Sequence, residues 1–420
     1  MGGRLADEAV ESPLELVAAM SHDFAASLDV QETLARGLER VRRAIGAEGG
    51  ALFLLEDDGR QLVCEASVGP VPITGLRLPA GTGIVGQSVR ENTCRLVRDV
   101  YADPNFTPSV DQKTGFTTRS ILCAPMSVKG ERLGAIELVN KQGGDGLFSD
   151  RDLHALRALA ASAALAVLNA RLASRLVEQE RVRRELELAA EIQRGLLPAP
   201  RPASFPIHGR NFPARKVSGD FFDFFDLPDG RYGFCVGDVA GKGINAALLM
   251  ARTSSLYRCL GRTLVEPGRL LEAVNREICE TATRGLFVSL VGGVYDPRSR
   301  RVRLANAGHE PPLLQRADGD FVALPAEAPP LGIPELIGGG GFEETEVELD
   351  GGRLYVFTDG VTEGLLPGGS RLGVEGLRKQ LTEHVALPAP ERLEAVLQPL
   401  QGETLHDDLT LLVVEAGAGV

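Results

Sequence analysis

In the second half of the chain, short apolar segments recur that end at an aspartate or begin directly after one. The aspartates concerned are Asp220, Asp223, Asp238, Asp359, Asp407 and Asp408. An aspartate at the end of a buried strand lies at a sheet edge, where it can face a cleft without being buried unpaired. Several acids in one cleft repel one another unless cations neutralise them, and carboxylate oxygens are ligands that Mg²⁺ and Mn²⁺ prefer. The pattern therefore predicts a divalent-cation site at a sheet edge, although any one of these aspartates alone fits a simple turn equally well.

Composition limits the class of protein. A chain of 420 residues predicts two or three domains, and 44% hydrophobic with 24% charged residues is typical of a globular protein. The net charge of -12 argues against a nucleic-acid partner, which requires clustered Lys and Arg.

Targeting and redox features favour the cytoplasm. The six cysteines form no CxxC pair, which fits free thiols in a reducing compartment and gives no zinc site. The N-terminus lacks the apolar core of a signal peptide. The most apolar stretch, 158–168, is too short to span a bilayer, so we expect no membrane association.

Secondary structure changes in character along the chain. Apolar positions at helical spacing predict helices within 14–45, and a further helix is predicted from about 151 with its N-cap at Ser149-Asp150. The second half alternates short strands with helices. Its predicted strands cover 232–240, 286–296, 301–308, 353–360 and 408–416. Its predicted helices cover about 243–263, 268–282, 371–385 and 390–400.

Between these halves, residues 171–198 predict a signalling helix. The segment 171–197 contains no Pro and a single Gly, and prolines follow from Pro198. Five of its eight heptad a and d positions are apolar, which predicts a weak coiled-coil seam and a homodimer. These eight positions are Leu172, Arg175, Gln179, Val182, Leu186, Ala189, Gln193 and Leu196.

The C-terminal motifs resemble those of PPM-type (protein phosphatase 2C-like) serine/threonine phosphatases, in the branch typified by stage II sporulation protein E. The matching blocks are VSGDFFD, GDVAGKGINAALLM, NAGHEPPLL, LYVFTDGVTE and DDLTLLVV. Their order and spacing span 205–418. The resemblance implies an α/β/β/α sandwich that hydrolyses phosphoserine or phosphothreonine on a protein with two Mn²⁺ or Mg²⁺ ions.

The same resemblance implies roles for individual residues. Asp238 bridges the two metals, and the main-chain carbonyl of Val239 is a further ligand. Asp359 and Asp407 hold one metal, and Asp220 binds a metal or orients the water that it binds. Asp408 is a lower-ranked candidate ligand, because the wider family often has Asn at this position.

Three further residues have two interpretations each. Arg215 lies where eukaryotic members of the family place an arginine that grips the substrate phosphate, but a solvated position explains it as well. His309 and His406 are structural hydrogen-bonding residues or participants in catalysis.

Two glycine-rich segments are excluded as nucleotide sites. GTGIVG at 81–86 matches the dinucleotide-binding spacing, yet no buried strand precedes it, so we expect a turn that enters a helix. GDVAGKG has the wrong spacing for a P-loop and lacks the Ser or Thr that must follow the lysine.

Residues 14–170 resemble a GAF domain, a sensory module for small ligands. The resemblance rests on LPAGTGIVGQSVREN, RLVRDVYADPNF and RSILCAPMSVKGERLGAIELVNK, followed by a closing helix. Cyclic-nucleotide-binding members carry an NK…FxxxDE pattern. Asn140, Lys141, Phe148 and Asp152 match it, but Leu153 replaces the glutamate. A small-ligand pocket and a ligand-free packing surface both remain open.

Together these patterns predict an α+β multidomain protein with a GAF-like sensor, a connecting helix and a phosphatase sandwich. The resemblance implies that the substrate is a phosphorylated STAS-domain anti-anti-sigma factor in bacterial partner switching. The alternatives are a non-catalytic scaffold with a phosphatase-like fold and a cyclic-nucleotide-responsive signalling protein.

Overall fold

The computed structural model of the chain describes residues 30–56, 59–280, 285–326, 328–333, 341–402 and 405–416. The chain divides into two compact units, Met1–Glu180 and Arg181–Val420. Both contain helices and antiparallel sheets, which confirms the predicted α+β multidomain class. The part of the predicted helical region that precedes residue 30 lies outside the described residues.

The first unit is built around a six-stranded antiparallel sheet in the order β3-β2-β1-β6-β5-β4. Its elements are α1 Val30–Ile45, β1 Ala47–Glu56, β2 Gln61–Val68, β3 Arg77–Pro79, α2 Gly83–Glu91, β4 Arg95–Val97, α3 Ser109–Thr114, β5 Ile121–Val128, β6 Glu131–Lys141 and α4 Asp150–Arg194. A tight hairpin joins β5 and β6, and Lys129 and Gly130 in its turn both have positive φ. The segment GTGIVG begins α2, as predicted.

Helices cover the first face of this sheet. The apolar positions of α1 recur every three or four residues, and Leu34, Leu38, Val41 and Ile45 are all buried against the sheet and the first part of α4. The opposite face packs against α2 through Ile84, Val85 and Val89.

Helix α4 is a single helix of 45 residues, and the predicted closing helix and connecting helix are two parts of it. It begins with a capping box, because Ser149 Oγ accepts from the Asp152 amide while Asp152 accepts from Ser149. It ends at Arg194, four residues before the predicted end, since Gly195 and then Pro198 follow.

By length and composition alone, α4 is apolar enough to cross a membrane, with 33% of its most apolar window buried. The buried side chains of that stretch belong to the core of the first unit, and a core position accounts for their apolar character. They are Leu156, Leu159, Ala160, Ala163, Ala164 and Val167.

The second unit has two five-stranded antiparallel sheets, ordered β14-β11-β10-β9-β8 and β13-β12-β15-β16-β7. Its elements are β7 Ile207–Phe212, β8 Phe221–Asp226, β9 Tyr232–Val239, α5 Ile244–Gly261, α6 Pro267–Glu280, β10 Val288–Asp296, β11 Arg301–Ala307, β12 Leu313–Gln315, β13 Phe321–Ala323, β14 Glu344–Glu348, β15 Arg353–Phe357, α7 Asp359–Glu363, α8 Gly373–Glu383, α9 Ala389–Leu397 and β16 Leu409–Glu415. The predicted strands and helices agree within a few residues, but β7, β8 and β12 to β14 were missed.

Three apolar layers hold this unit together. Phe222, Phe234 and Val291 of one sheet pack against Val356 and Leu412 of the other. Helices α5 and α6 cover the outer face of the first sheet, and α8 and α9 cover that of the second. The architecture is the predicted α/β/β/α sandwich, and the strand ends on which the candidate acids lie come from both sheets.

Candidate active site

The four main candidate acids lie at ends of strands from the two facing sheets. Asp220 directly precedes β8 and Asp238 lies near the end of β9, while Asp359 begins α7 after β15 and Asp407 precedes β16. Their charges act on one another. Burial and the charges of Asp359, Asp407 and Asp408 together raise the pKa of Asp238 to about 6, although a hydrogen bond from Asp220 lowers it. The structure therefore brings the predicted acids together.

The Asp220 carboxylate accepts hydrogen bonds from the end of β15 and from β16, two neighbouring strands of the second sheet. Its Oδ2 accepts hydrogen bonds from Thr358 Oγ1 at 2.6 Å and Thr410 Oγ1 at 2.8 Å. Its side chain is buried, and this burial together with the charge of Asp238 raises the pKa of Asp220 well above its ordinary value. A buried carboxylate so close to other acids retains a proton unless a cation compensates its charge.

Thr358 and Thr410 are functional residues that the sequence analysis missed. Both are fully buried, and Thr410 N also donates to Thr358 Oγ1 at 3.2 Å. Each lies within two residues of a predicted acid, in TDG and in DLT. The sequence signal that could have identified them is a threonine within two residues of a candidate aspartate.

Glu310 adds another acid near Asp359. Burial raises the pKa of Asp359, and the charge of Asp407 raises it further. Burial also raises the pKa of Glu310, followed by the charges of Asp359 and Glu363. Glu310 lies in the NAGHEPPLL block, where the sequence analysis considered only the adjacent histidine.

Lys242 places an ammonium group against these acids. Its Nζ lies 2.8 Å from Asp407 Oδ2 and donates to the carbonyl oxygen of His406 at 3.1 Å. From the sequence, Lys242 was considered only as the lysine of a possible P-loop, which its spacing excluded. One positively charged side chain of the protein is therefore already paired with the acid cluster.

Asp408 has both carboxylate oxygens occupied by the loop that leads to Asp220. Oδ1 accepts from the Ala214 amide at 2.7 Å, and Oδ2 accepts from Ser218 Oγ at 2.7 Å and from the Gly219 amide at 2.8 Å. We propose that Asp408 positions this loop, in place of the ligand role that the sequence resemblance implied.

Asp223 does not join the cluster, which corrects its inclusion among the strand-end acids. Its carboxylate is fully buried and accepts two hydrogen bonds from the Arg258 guanidinium, one of them from Nε at 2.7 Å. Burial raises the pKa of Asp223 to about 6, and the bonds from Arg258 oppose that rise. Asp223 therefore fixes α5 to its sheet.

The structure shows the surroundings of His309 and Arg215, each of which had two interpretations. His309 is buried, its Nδ1 lies 2.8 Å from Ser289 Oγ, and its amide donates to Asn306 Oδ1. Burial lowers the pKa of His309 to about 4, which favours the neutral ring. Arg215 is exposed and has no hydrogen-bond or ion-pair partner within the described ranges.

The donor atoms of the cluster fit divalent cations. All are carboxylate or carbonyl oxygens, the preferred ligands of Mg²⁺ and Mn²⁺. A Cβ atom at position 219 would lie 3.2 Å from the Val239 carbonyl oxygen and 3.5 Å from Asp238 Oδ1, so Gly219 leaves both atoms accessible. Across the described ranges, no three His, Cys, Asp or Glu side chains are arranged to hold a metal ion as they stand.

Comparison with known proteins identifies both units. The family model of stage II sporulation protein E (SpoIIE) matches residues 228–417, and that of the GAF domain matches residues 29–167. Phosphoserine phosphatase RsbU of Bacillus subtilis (strain 168) is 30% identical over 243 residues, which are 56% of this chain and 71% of RsbU. Phosphoserine phosphatase RsbP of the same organism is 29% identical over 197 residues, 43% of this chain and 46% of RsbP.

Among solved structures, the SiaA-PP2C domain of Pseudomonas aeruginosa aligns with a TM-score of 0.49 and 22% identity, covering 57% of this chain and 98% of that domain. The identity and coverage shared with RsbU, together with the SpoIIE family match, indicate common descent of the second unit. The chain belongs to the SpoIIE-type family of protein serine/threonine phosphatases and joins such a phosphatase to a GAF domain.

Proposed function

We propose that this chain hydrolyses phosphoserine or phosphothreonine in a protein by using two Mn²⁺ or Mg²⁺ ions. Asp238, Asp359, Asp407, Asp220 and the Val239 carbonyl would hold them. The ions, when bound, supply an activated water and neutralise the phosphoryl charge. The observation that carries the proposal is the cluster of Asp220, Asp238, Asp359 and Asp407, in which burial and neighbouring charges raise the pKa of the first three, because such acids stay ionised together only when cations compensate their charge.

The residues of the chain also perform tasks of their own. Thr358 and Thr410 orient Asp220 from the second sheet while its backbone belongs to the first, so the site depends on the sandwich being intact. Arg215, exposed on the loop before Asp220 and without a partner in the described ranges, is available to bind a substrate phosphate.

The substrate proposed is a phosphorylated STAS-domain anti-anti-sigma factor, in the cytoplasm. Its support is the resemblance of the motifs together with the match to RsbU, a phosphoserine phosphatase. The direct test is release of phosphate from such a phosphoprotein by the full chain, compared with release from a phosphopeptide of scrambled sequence.

We expect Asp359→Asn to lower kcat with p-nitrophenyl phosphate and Mn²⁺ by more than about 100-fold, since even residues outside the ligand set change metal-site activity by about 10- to 100-fold. The fold should survive, because asparagine keeps the shape of the side chain and removes a charge that burial and Asp407 disfavour. Steady-state kinetics and circular dichroism measure the two effects.

The matched control is Asp226→Asn, at the far end of β8, where Asp226 forms a surface ion pair with Arg201 at 2.8 Å. It should retain wild-type kcat, and EDTA should abolish the activity of the unmodified chain. Wild-type turnover by Asp359→Asn at saturating Mn²⁺ would refute the ligand assignment and favour the non-catalytic scaffold or a metal-free reaction.

A second expectation concerns stability against pH without divalent cations. The folded pKa of Asp238 is raised from 3.8 to about 6, so its stabilising contribution is complete below 3.8 and is lost as pH rises through about 6. Mn²⁺ should therefore raise the melting temperature of the phosphatase unit more at about pH 7.5 than at about pH 5. Calorimetry of the full chain measures this. An equal increase at both pH values would contradict a carboxylate site.

We further propose that α4 controls catalysis through Gln193. This residue was predicted to weaken a dimer seam, but its side chain is buried in the second unit instead. Gln193 Nε2 donates to the Ser218 carbonyl at 2.7 Å, and Gln193 Oε1 accepts from the Ser218 amide at 2.9 Å. Because Ser218 is two residues before Asp220, movement of the helix end would shift a ligand of the site.

The remaining seam residues support the proposed homodimer. Two of them, Leu172 and Val182 of α4, are 46% and 42% exposed, and Leu176, outside the predicted seam, is 65% exposed. Exposed apolar side chains at helical spacing favour pairing with a second helix, because an isolated solvated helix is marginally stable.

We expect Gln193→Ala to lower basal kcat about tenfold, because the loop that carries Asp220 loses two hydrogen bonds, comparable to the loss of an outer-shell partner at a metal site. Glu191→Ala, at an exposed position on the same helix outside the predicted seam, is the control and should leave kcat unchanged. Insertion of two alanines after Glu187 should also change activity. If both Gln193→Ala and the insertion kept wild-type rates, α4 would be a passive connection.

A further inference from the structure

A cavity of about 120 Å³ opens beside the sheet of the GAF unit. Strands β1, β2 and β6, the start of α2 and the segment around α3 surround it. Most of its lining is apolar, including Phe53, Ile73, Leu78, Val85, Phe106 and Phe116. A dry apolar cavity of about 150 Å³ holds a molecule of the size of benzene, so this space suits a ligand of comparable size.

The charged side chains that line this cavity are both acidic. They are Asp111 and Glu137, and no Lys, Arg or His belongs to the lining. Asp111 is already engaged, because its oxygens accept from the Thr118 amide at 2.8 Å and from Thr118 Oγ1 at 2.7 Å. Glu137 has no hydrogen-bond or ion-pair partner anywhere in the described part of the chain.

Glu137 lies in the middle of the sheet, where a charged residue is unusual. It is on β6, opposite Ala51 of β1 and Cys123 of β5. Burial, together with the charge of Asp111, raises the pKa of Glu137 to about 7. A carboxyl group in an apolar site without a donor costs free energy that a bound donor would recover.

We propose that this cavity binds a small ligand with an apolar body and a positively charged nitrogen, whose N–H groups donate to the carboxylate of Glu137. This ligand class rests on the sensor role proposed for the GAF unit. Its test measures binding alone, so it can fail while the phosphatase assignment stands, and the reverse also holds.

The same features disfavour a cyclic nucleotide. Pockets for larger ligands occupy about 300 Å³ or more, and a cyclic phosphate would meet two acids without a compensating cation. The residues of the NK…FxxxDE pattern have structural contacts instead. Asn140 accepts from the Arg119 amide at 2.7 Å, Lys141 pairs with Asp152 at 3.0 Å, and Phe148 is buried in the core.

The test uses benzylamine as the probe, with toluene as its neutral counterpart and cyclic GMP as the competing class. Isothermal titration calorimetry on the full chain at about pH 8 should show benzylamine binding, and Glu137→Gln should weaken it at least about tenfold, the loss expected for a charge-assisted hydrogen bond. Glu131→Gln, an exposed acid on the same strand, is the matched control and should bind as the wild type does.

Binding should also weaken at about pH 5.5, because a proton then competes with the ligand for Glu137. The titratable groups that face Glu137 are Asp111 of α3, Cys64 of β2 and Cys123 of β5. The thiols stay neutral, since burial raises the pKa of both.

Glu137→Gln is expected to fold, because the folded chain already favours a neutral group at this position, and its melting temperature verifies this. The proposal is overturned if benzylamine does not bind the wild type, if Glu137→Gln binds it equally well, or if cyclic GMP binds more tightly. Toluene binding with the same affinity as benzylamine would likewise remove the role of Glu137.

Discussion

Repulsion among carboxylates held where two sheets meet is the constraint on which the phosphatase unit depends. Asp220 and Asp238 come from one sheet, Asp359 and Asp407 from the other, and burial at this edge strengthens the effect of each charge on its neighbours. The structure compensates this repulsion only in part, through the Thr358 and Thr410 hydroxyls on Asp220 and the Lys242 ammonium on Asp407. A site that remains short of positive charge is one prepared to bind cations.

The loop before Asp220 connects this constraint to the rest of the chain. Asp408 holds it from the second sheet, and Gln193 holds it from the end of α4. Since α4 begins in the GAF unit and continues without a break, the element that binds the loop is also part of the sensor core. The proposed control through α4 rests on these two contacts between Gln193 and Ser218.

The sequence predicted the acids because each adjoins an apolar run, and for the same reason it predicted five strands and four helices of the second unit. The sequence did not show which way a side chain points, and the predictions that depended on this were wrong. In β8 the run FFDFFD is buried on both faces of its sheet, so periodicity could not separate the site from Asp223, which pairs with Arg258. Heptad spacing placed Gln193 at a polar position of the coiled-coil seam. Spacing alone does not show that the loop before Asp220 packs against this residue. Glu137, inside the apolar strand AIELV, became informative only once the cavity in front of it was seen.

Metal stoichiometry tests the central claim most directly. Manganese binding to the full chain at about pH 7.5, followed by electron paramagnetic resonance of free Mn²⁺, should show two ions per chain. Asp238→Asn should lose both, because Asp238 is the carboxylate proposed to contact each ion. Asp223→Asn, which alters an acid paired with Arg258, should retain both if it folds. Undiminished manganese binding by Asp238→Asn would contradict the account.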